Sequence, residues 1–341
     1  MHLYFGTVIR KAPVKRSGSI YKLDWERKQV VAERLMVPQE PSLDHDPKTR
    51  GNARGCRGIQ VVGDEVIAAN YHTLNFYDRN LNLKRSLSHG LMVGLHETFV
   101  DGDSIWVTST STDSAIRYNL QTGSLEDQYW PREMPAFQQA LGVEPMDVDK
   151  SADNRAAWLD TTRIIGPSHL HLNAVCVFRG EVYALFHSQC CVANLSRGTV
   201  AIQNENLKHA HNLIMEEPGV VWINDTHRCT IRQYELATGR EIRAIDLRRQ
   251  KRIPWLLLKS GMRAMREMGL AFFGSGRKAT ARPLYLRGLT LHGDYVFAGF
   301  SPATIVCLDK QSGEVLDYYF HTTDVRVCVH GLVADANQVV E

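Results

Sequence analysis

Residues 96–130, HETFVDGDSIWVTSTSTDSAIRYNLQTGSLEDQYW, show the repeating unit of this chain in its clearest form. An apolar run leads into the turn Asp101-Gly102-Asp103, two further alternating runs follow, and a second turn at Gln121-Thr122-Gly123 precedes the fourth run. Alternation with a period of two, broken by turns rich in Gly and Asp, is typical of consecutive antiparallel strands. The stretch therefore predicts a unit of four antiparallel strands.

Five other segments begin in the same way, with a large polar residue just before an apolar run. We call the six polar residues the anchors: Arg57 in RGIQVV, His96 in HETFV, Asn173 in NAVCVF, His211 in HNLIM, Arg287 in RGLTLHGD and His330 in HGLVAD. The steps between them are 39, 77, 38, 76 and 43 residues, a period of about 38 with two double steps. A period of this length made of short strands is typical of a closed ring of repeats.

Four strands in each of six repeats predict an all-β protein, a six-bladed β-propeller. The repeat of His330 supplies one strand before the sequence stops at Glu341, whereas the N-terminal segments LYFGTVI, SIYKLDW and KQVVAERLMV read as three strands. We expect both chain ends to complete one blade as a clasp, which removes an open sheet edge. Two separate sandwich domains would not explain such a blade. We expect residues 1–341 to form a single propeller domain.

Two stretches interrupt the repeat and account for the double steps. Residues 131–168 are rich in proline, and residues 249–283 read as a basic amphipathic helix from about Trp255 to Met268 followed by a Gly-rich turn. We expect insertions on a face of the ring, although each is long enough for a degenerate seventh blade. The insertions would offer a surface to a protein partner. The basic helix could pack on the ring as a lid or touch a membrane surface.

The composition is ordinary for a folded protein, with 44% hydrophobic and 23% charged residues. The net charge is only +3, and no basic stripe is interleaved with aromatic residues, so nucleic acid is not an expected partner. No apolar run approaches the ~18 residues of a transmembrane segment. The N-terminus lacks the pattern of a signal peptide. We therefore expect a cytoplasmic protein whose seven cysteines, without CxxC spacing, are reduced.

The predicted ring places histidine on alternate blades. The histidine anchors of blades three, five and one are His96, His211 and His330. Three neutral imidazoles that converge on one axis suit a divalent transition metal such as Fe(II) or Zn(II), with open positions for water or substrate. The anchors of the blades between them, which would bind a small anionic molecule, are Arg57, Asn173 and Arg287. A polar pocket without metal and a purely structural role are the alternatives.

Other residues near the anchors could join this site. His169 and His171 precede the anchor of blade four, and His209 precedes that of blade five, at spacings that share one face of an extended chain. We interpret His171 as substrate-binding and His209 as catalytic, with solvated loop histidines as the alternative. Glu97 could be a catalytic base or could orient an imidazole, although a regular strand would turn it toward a neighbouring blade. Near the ends of second strands, facing the mouth or the rim, we place Tyr71, His72, His187, Asp225 and His227.

The repeated units and the clasp resemble six-bladed propellers of the gluconolactonase, strictosidine synthase and NHL-repeat group. This resemblance covers nearly the whole chain and implies architecture without a functional motif. The metal sites of gluconolactonase-like members are rich in carboxylate and asparagine, and only Asn173 fits that pattern, so a calcium site is not expected. Carotenoid-cleaving oxygenases are similar in one respect, because histidines from separate blades hold iron on their axis.

Three hypotheses on function follow. The first is a metal-dependent enzyme with a three-histidine site, acting on a small anionic substrate by oxygenase, hydrolase or lyase chemistry. The second is a metal-free transferase or lyase that resembles arylsulfate sulfotransferases, which are exported, longer proteins with histidine, arginine and asparagine in the channel. The third is a binding scaffold without catalysis. The first is our working hypothesis.

Overall fold

Six four-stranded antiparallel sheets make up the described part of the chain, which confirms the predicted all-β propeller. The computed structural model describes residues 1–37, 55–156, 168–253 and 283–335. Blade one consists of β24 (Val327–Ala334), β1 (His2–Ile9), β2 (Ser19–Asp24) and β3 (Gln29–Leu35). Blade two consists of β4 (Ile59–Val62), β5 (Glu65–Ala69), β6 (Thr73–Tyr77) and β7 (Leu83–Ser88). Blade three consists of β8 (Leu95–Asp101), β9 (Ser104–Ser109), β10 (Ser114–Asn119) and β11 (Leu125–Tyr129).

The remaining three blades follow the same order. Blade four consists of β12 (Leu172–Phe178), β13 (Glu181–Phe186), β14 (Cys191–Asn194) and β15 (Thr199–Gln203). Blade five consists of β16 (His211–Glu216), β17 (Val220–Asp225), β18 (Thr230–Glu235) and β19 (Glu241–Asp246). Blade six consists of β20 (Gly288–His292), β21 (Tyr295–Phe300), β22 (Thr304–Asp309) and β23 (Val315–Phe320).

The ring is closed by the predicted clasp of the two chain ends. Strand β24 pairs antiparallel with β1, with Leu3 opposite Ala334 and Ile9 opposite Val327. The first strand of every blade in the order above contacts the first strands of both neighbouring blades, so these six inner strands surround the axis. Because β24 is the inner strand of blade one, the pairing with β1 gives its backbone groups partners inside the protein.

The insertions are described only in part. Residues 131–156 of the first one contain α1 (Pro135–Leu141), the only α-helix that lies wholly within the described ranges. This helix begins at a proline and ends before Gly142, which adopts the left-handed conformation. The predicted helix from Trp255 to Met268 lies outside the described residues and stays a prediction. In the described part of the chain, no helix has the length and apolarity needed to span a membrane.

Four inner strands depart from regular pairing close to their anchor. A register shift in each leaves an extra residue on the inner strand, between Leu95 and Thr98 of β8, Leu172 and Ala174 of β12, His211 and Ile214 of β16, and Val329 and Leu332 of β24. Such β-bulges bend a strand and redirect its side chains. The anchor side chains therefore do not follow the strict alternation that holds farther out in the blades.

Neighbouring inner strands approach so closely that only glycine fits at some positions. A Cβ atom on Gly331 of blade one would lie 1.7 Å from the carbonyl oxygen of Arg57 in blade two. A Cβ atom on Gly58 would lie 2.8 Å from the backbone nitrogen of Thr98 in blade three. Gly331 follows the anchor His330, and Gly58 follows the anchor Arg57. The close approach of neighbouring inner strands therefore explains both glycines.

Replacing Gly331 with alanine should lower the free energy of unfolding by about 3 kcal/mol, because a backbone oxygen at 1.7 Å has to move. Gly102 provides the control, since it has a φ of +58° and nothing within 4 Å of an added Cβ. G102A should cost only about 1 kcal/mol of backbone strain. Urea unfolding of both variants measures the difference, and equal losses would contradict the close packing of blades one and two.

Candidate metal centre

Three histidines from alternate blades converge on the axis, as the repeat predicted. His96 lies on β8, His211 on β16 and His330 on β24, and we call them the triad. Their ring centres are 4.6 Å apart for His96 and His330, 5.2 Å for His96 and His211, and 5.7 Å for His211 and His330. The three side chains are buried, with exposed fractions of 5%, 2% and 1%.

The triad has nearly the size of a metal coordination sphere. One nitrogen from each ring lies within 4.8 Å of those of the other two. The corners of a triangle of this size are at most about 2.8 Å from its centre, and a Zn–N bond measures about 2.1 Å. An inward shift of about 0.7 Å by each imidazole would therefore complete three metal bonds. Small side-chain rotations are enough for such a shift.

Hydrogen bonds orient one imidazole and leave the other two with unpartnered nitrogens. His211 Nδ1 lies 3.1 Å from the carbonyl oxygen of His209 and 2.7 Å from Thr226 Oγ1. Because a carbonyl only accepts, Nδ1 carries the proton and Nε2 keeps its lone pair. His96 Nδ1 and both ring nitrogens of His330 are buried without a hydrogen-bond partner among the described residues. Buried polar atoms are normally paired, which makes these nitrogens candidates for binding a ligand.

Burial keeps the triad uncharged. Desolvation lowers the pKa of all three imidazoles well below the ordinary value of histidine. The positive charges of Arg57 and Arg287 lower the pKa of His96 and His330 further. Neutral imidazoles have the lone pair that a metal bond requires.

Glu97 faces the triad instead of a neighbouring blade. Its Oε1 lies 3.8 Å from His330 Nδ1 and accepts a hydrogen bond of 3.2 Å from Asn212 Nδ2. The bulge of β8 contains Glu97, and this irregularity is why the expectation from a regular strand does not apply. Burial raises the pKa of Glu97 well above its ordinary value, with Arg57 and Arg287 opposing the shift. Burial therefore favours the protonated form of this carboxyl group.

Two of the anchors between the triad members also link neighbouring blades. Arg57 Nη1 donates to the carbonyl oxygen of Leu95, at 3.1 Å, and Asn173 Nδ2 donates to that of Ala210, at 2.6 Å. The guanidinium of Arg287 lies 4.7 Å from the ring centre of Tyr285. Each of these three anchors thus has a structural contact in addition to its place near the axis.

A row of four histidines extends from the triad toward the surface. Ring centres are 6.0 Å apart for His96 and His171, 4.5 Å for His171 and His187, and 4.6 Å for His187 and His209. His209 Nδ1 is 2.9 Å from His187 Nε2, and its ring stacks on exposed His227 at 4.1 Å. Of the predicted residues, His171 thus lies next to the triad and His209 lies farther along the row, and both are half-buried.

Other candidates from the sequence lie apart from this row. Asp225 is paired with Arg232 at 2.9 Å within blade five. On blade two His72 lies beside Tyr71, and burial lowers the pKa of His72 to about 4. Sequence reasoning missed Thr226, which contacts His211 of the triad, and Asn212, which contacts Glu97. No motif marks either residue, and only its place next to a histidine could have drawn attention to it.

Comparisons with known proteins show the fold and no family. No protein-family profile and no curated protein matches the chain. A crystal structure of a protein of unknown function from Bacteroides caccae is similar, with a TM-score of 0.58, 10% identity and 97% of both chains covered. A chain of a nidogen/laminin complex has a TM-score of 0.53, 12% identity and the same coverage. Because 1203 solved chains match, the architecture is too widely shared to indicate a function.

The triad should make the metal-free protein sensitive to mild acid. The pKa of His330 is lowered on folding, so its stabilising contribution is present above the unfolded-state value of about 6.5 and is lost as the pH falls. Between pH 7.5 and 5.5, the free energy of unfolding of the wild type should therefore fall by about 1.4 kcal/mol more than that of H330N. Glu97 contributes in the opposite direction in both proteins, since its pKa is raised. Urea unfolding in the presence of EDTA measures both slopes, and equal slopes would contradict a neutral buried His330.

Proposed function

We propose that this chain is a metal-dependent enzyme in which the triad binds one divalent transition metal ion beside a site for a small anionic substrate. The observation that carries the proposal is the convergence of three buried, neutral imidazoles from blades one, three and five. Their unpartnered nitrogens would cost free energy in a purely structural role. A metal ion satisfies these lone pairs.

The donor atoms favour Zn(II) or Fe(II). Three imidazole nitrogens suit these ions, whereas calcium and magnesium prefer oxygen ligands. Three protein ligands leave at least one coordination position open for water or substrate. A metal bound there would act as a Lewis acid or would activate water or dioxygen, which includes hydrolase, lyase and oxygenase chemistry.

The residues around the triad suit an anion. Arg57 and Arg287 act electrostatically on His96 and His330, so an anionic group at the axis would be attracted to both arginines. Asn173 and His171 are the proposed neutral hydrogen-bonding groups beside them. Glu97, whose protonated form is favoured by burial, would give a proton to a bound substrate or leaving group. The half-buried His209 is the proposed second proton-transfer residue, acting through its contact with His187.

One observation favours the metal-free transferase as a second candidate. Arg10, Arg57 and Arg287 all lower the pKa of His330 by their positive charge, and the carboxyl group of Glu97 lies 3.8 Å from its Nδ1. Positive charge at the axis stabilises an anion and opposes a cation. In this mechanism a lone pair of His330 would attack the sulfur or phosphorus of an ester. The bond to the ester oxygen would break, and Glu97 would protonate the leaving oxygen.

Metal analysis of the purified, untagged protein tests the first proposal. Plasma mass spectrometry should find about one equivalent of zinc or iron per chain in the wild type and none in H211A, which lacks one of three ligands. T226V removes the hydroxyl group that orients His211 and should bind the metal about tenfold more weakly. H292A is the matched control, because His292 lies at the end of β20 opposite the anchor Arg287, and this variant should keep its metal. A folded wild type that binds no added zinc or iron would refute the metal site.

The second candidate predicts a modified histidine. Incubation of the protein with an aryl sulfate or aryl phosphate, followed by peptide mass spectrometry at neutral to alkaline pH, should show the added group on His330 because that ring has two unpartnered nitrogens. H330N is the control without the nucleophile. An adduct on His330 in metal-stripped protein would favour the transferase. If the wild type turns over the ester and carries no adduct, a histidine intermediate is excluded.

A further inference from the structure

A buried turn of blade three contacts the segment that carries His171. The turn joins β9 to β10 and has the sequence Thr110-Ser111-Thr112-Asp113, with all four residues buried. Asp113 adopts the left-handed conformation, with a φ of 52°, and its carboxylate is fully buried. A buried carboxylate costs free energy unless it makes hydrogen bonds, so its partners are informative.

The turn holds four consecutive residues before and at the start of blade four. Asp113 Oδ2 accepts a hydrogen bond of 2.9 Å from the backbone N–H of Leu170, and Oδ1 accepts one of 2.7 Å from that of His171. Thr110 Oγ1 donates to the carbonyl oxygen of Leu172, at 2.5 Å. His169 Nε2 lies 3.3 Å from Asp113 Oδ1. We call this set of contacts the clamp.

The clamp decides where the imidazole of His171 lies. In an extended chain, His171 would share a face with Asn173, but its φ of 55° breaks the extended path. The backbone N–H of His187 also donates a hydrogen bond to the carbonyl oxygen of His171, at 3.3 Å. The imidazole therefore stands 6.0 Å from that of His96, next to the triad and outside the three-nitrogen group.

We infer that Asp113 is a positioning residue, which holds His171 beside the triad so that its imidazole hydrogen-bonds an anionic group bound on the axis. The inference rests on the anion-binding part of the proposed function and does not need the metal. His171 is half-buried, between the buried triad and the exposed end of the histidine row, so an incoming anion would meet it near Arg57 and Arg287. The arginines supply charge, and His171 supplies a directed N–H group.

Sulfate binding provides the test, measured by titration calorimetry on zinc-loaded and on metal-stripped protein. H171N removes the imidazole and keeps a residue that tolerates the left-handed conformation, so it should weaken sulfate binding about tenfold. D113N keeps the size of the side chain but replaces one accepting oxygen with a donor, and it should weaken sulfate binding about fivefold. If Asp113 acts through His171, the double variant should bind as H171N does, about tenfold and not fiftyfold more weakly.

Two further variants separate positioning from general stability. T110V removes another bond of the clamp at nearly constant shape, and it should show the same non-additivity with H171N even if D113N fails to fold. D225N changes a fully buried carboxylate of blade five, which lies at the end of β17 and pairs with Arg232. Combined with H171N, it should give additive effects on sulfate binding.

The outcomes distinguish this inference from the metal proposal. Additive effects of D113N and T110V with H171N, wild-type sulfate affinity of H171N, or no sulfate binding by the wild type in either state would each overturn the inference. A wild type that binds no zinc but shows the expected non-additive sulfate binding would leave the inference standing and refute the metal site. Zinc binding by the wild type combined with additive effects would leave the metal site standing and overturn the inference.

Discussion

The distance between inner strands is the constraint on which the rest of the structure depends. Six strands surround one axis so closely that the chain needs glycine at residue 331, where a Cβ would overlap a carbonyl oxygen of the next blade. Closure through the pairing of β24 with β1 fixes the last of these strands. Since His330 lies on β24, the triad exists only when the ring is closed. The fold and the candidate site therefore share one structural requirement.

The repeat in the sequence was enough to predict the blades, because strand alternation and turn glycines are local properties. The clasp followed from the same argument, since the repeat of His330 lacked three strands and the N-terminal segment was predicted to contain three. The position of Glu97 could not be predicted in this way. It depends on a bulge, which adds one residue to β8 and leaves no mark on the pattern of apolar residues. The triad itself was predictable because equivalent places in a ring meet at its axis.

The histidine row illustrates a second limit. His171 and His209 both have positive φ values, of 55° and 66°, so neither follows the extended chain that the spacing of two residues assumed. Their place is decided by contacts with other blades, such as the clamp of Asp113 on the segment before β12. Contacts over a separation of almost 60 residues cannot be read from local patterns. They require the fold to be known first.

The six anchors differ in how much of their bonding capacity the fold itself uses. Arg57 and Asn173 donate hydrogen bonds to carbonyl oxygens at the next blade. These bonds give both side chains a structural role that needs no ligand. His330 differs from them, because both of its nitrogens are buried and have no hydrogen-bond partner within the described part of the chain. A structural histidine at this position could be replaced by an apolar residue at little cost, since burial of an unpaired polar group is unfavourable. This free-energy cost is the reason for our proposal that a ligand binds on the axis. The positive charge of the nearby arginines would favour an anion beside any metal ion bound there.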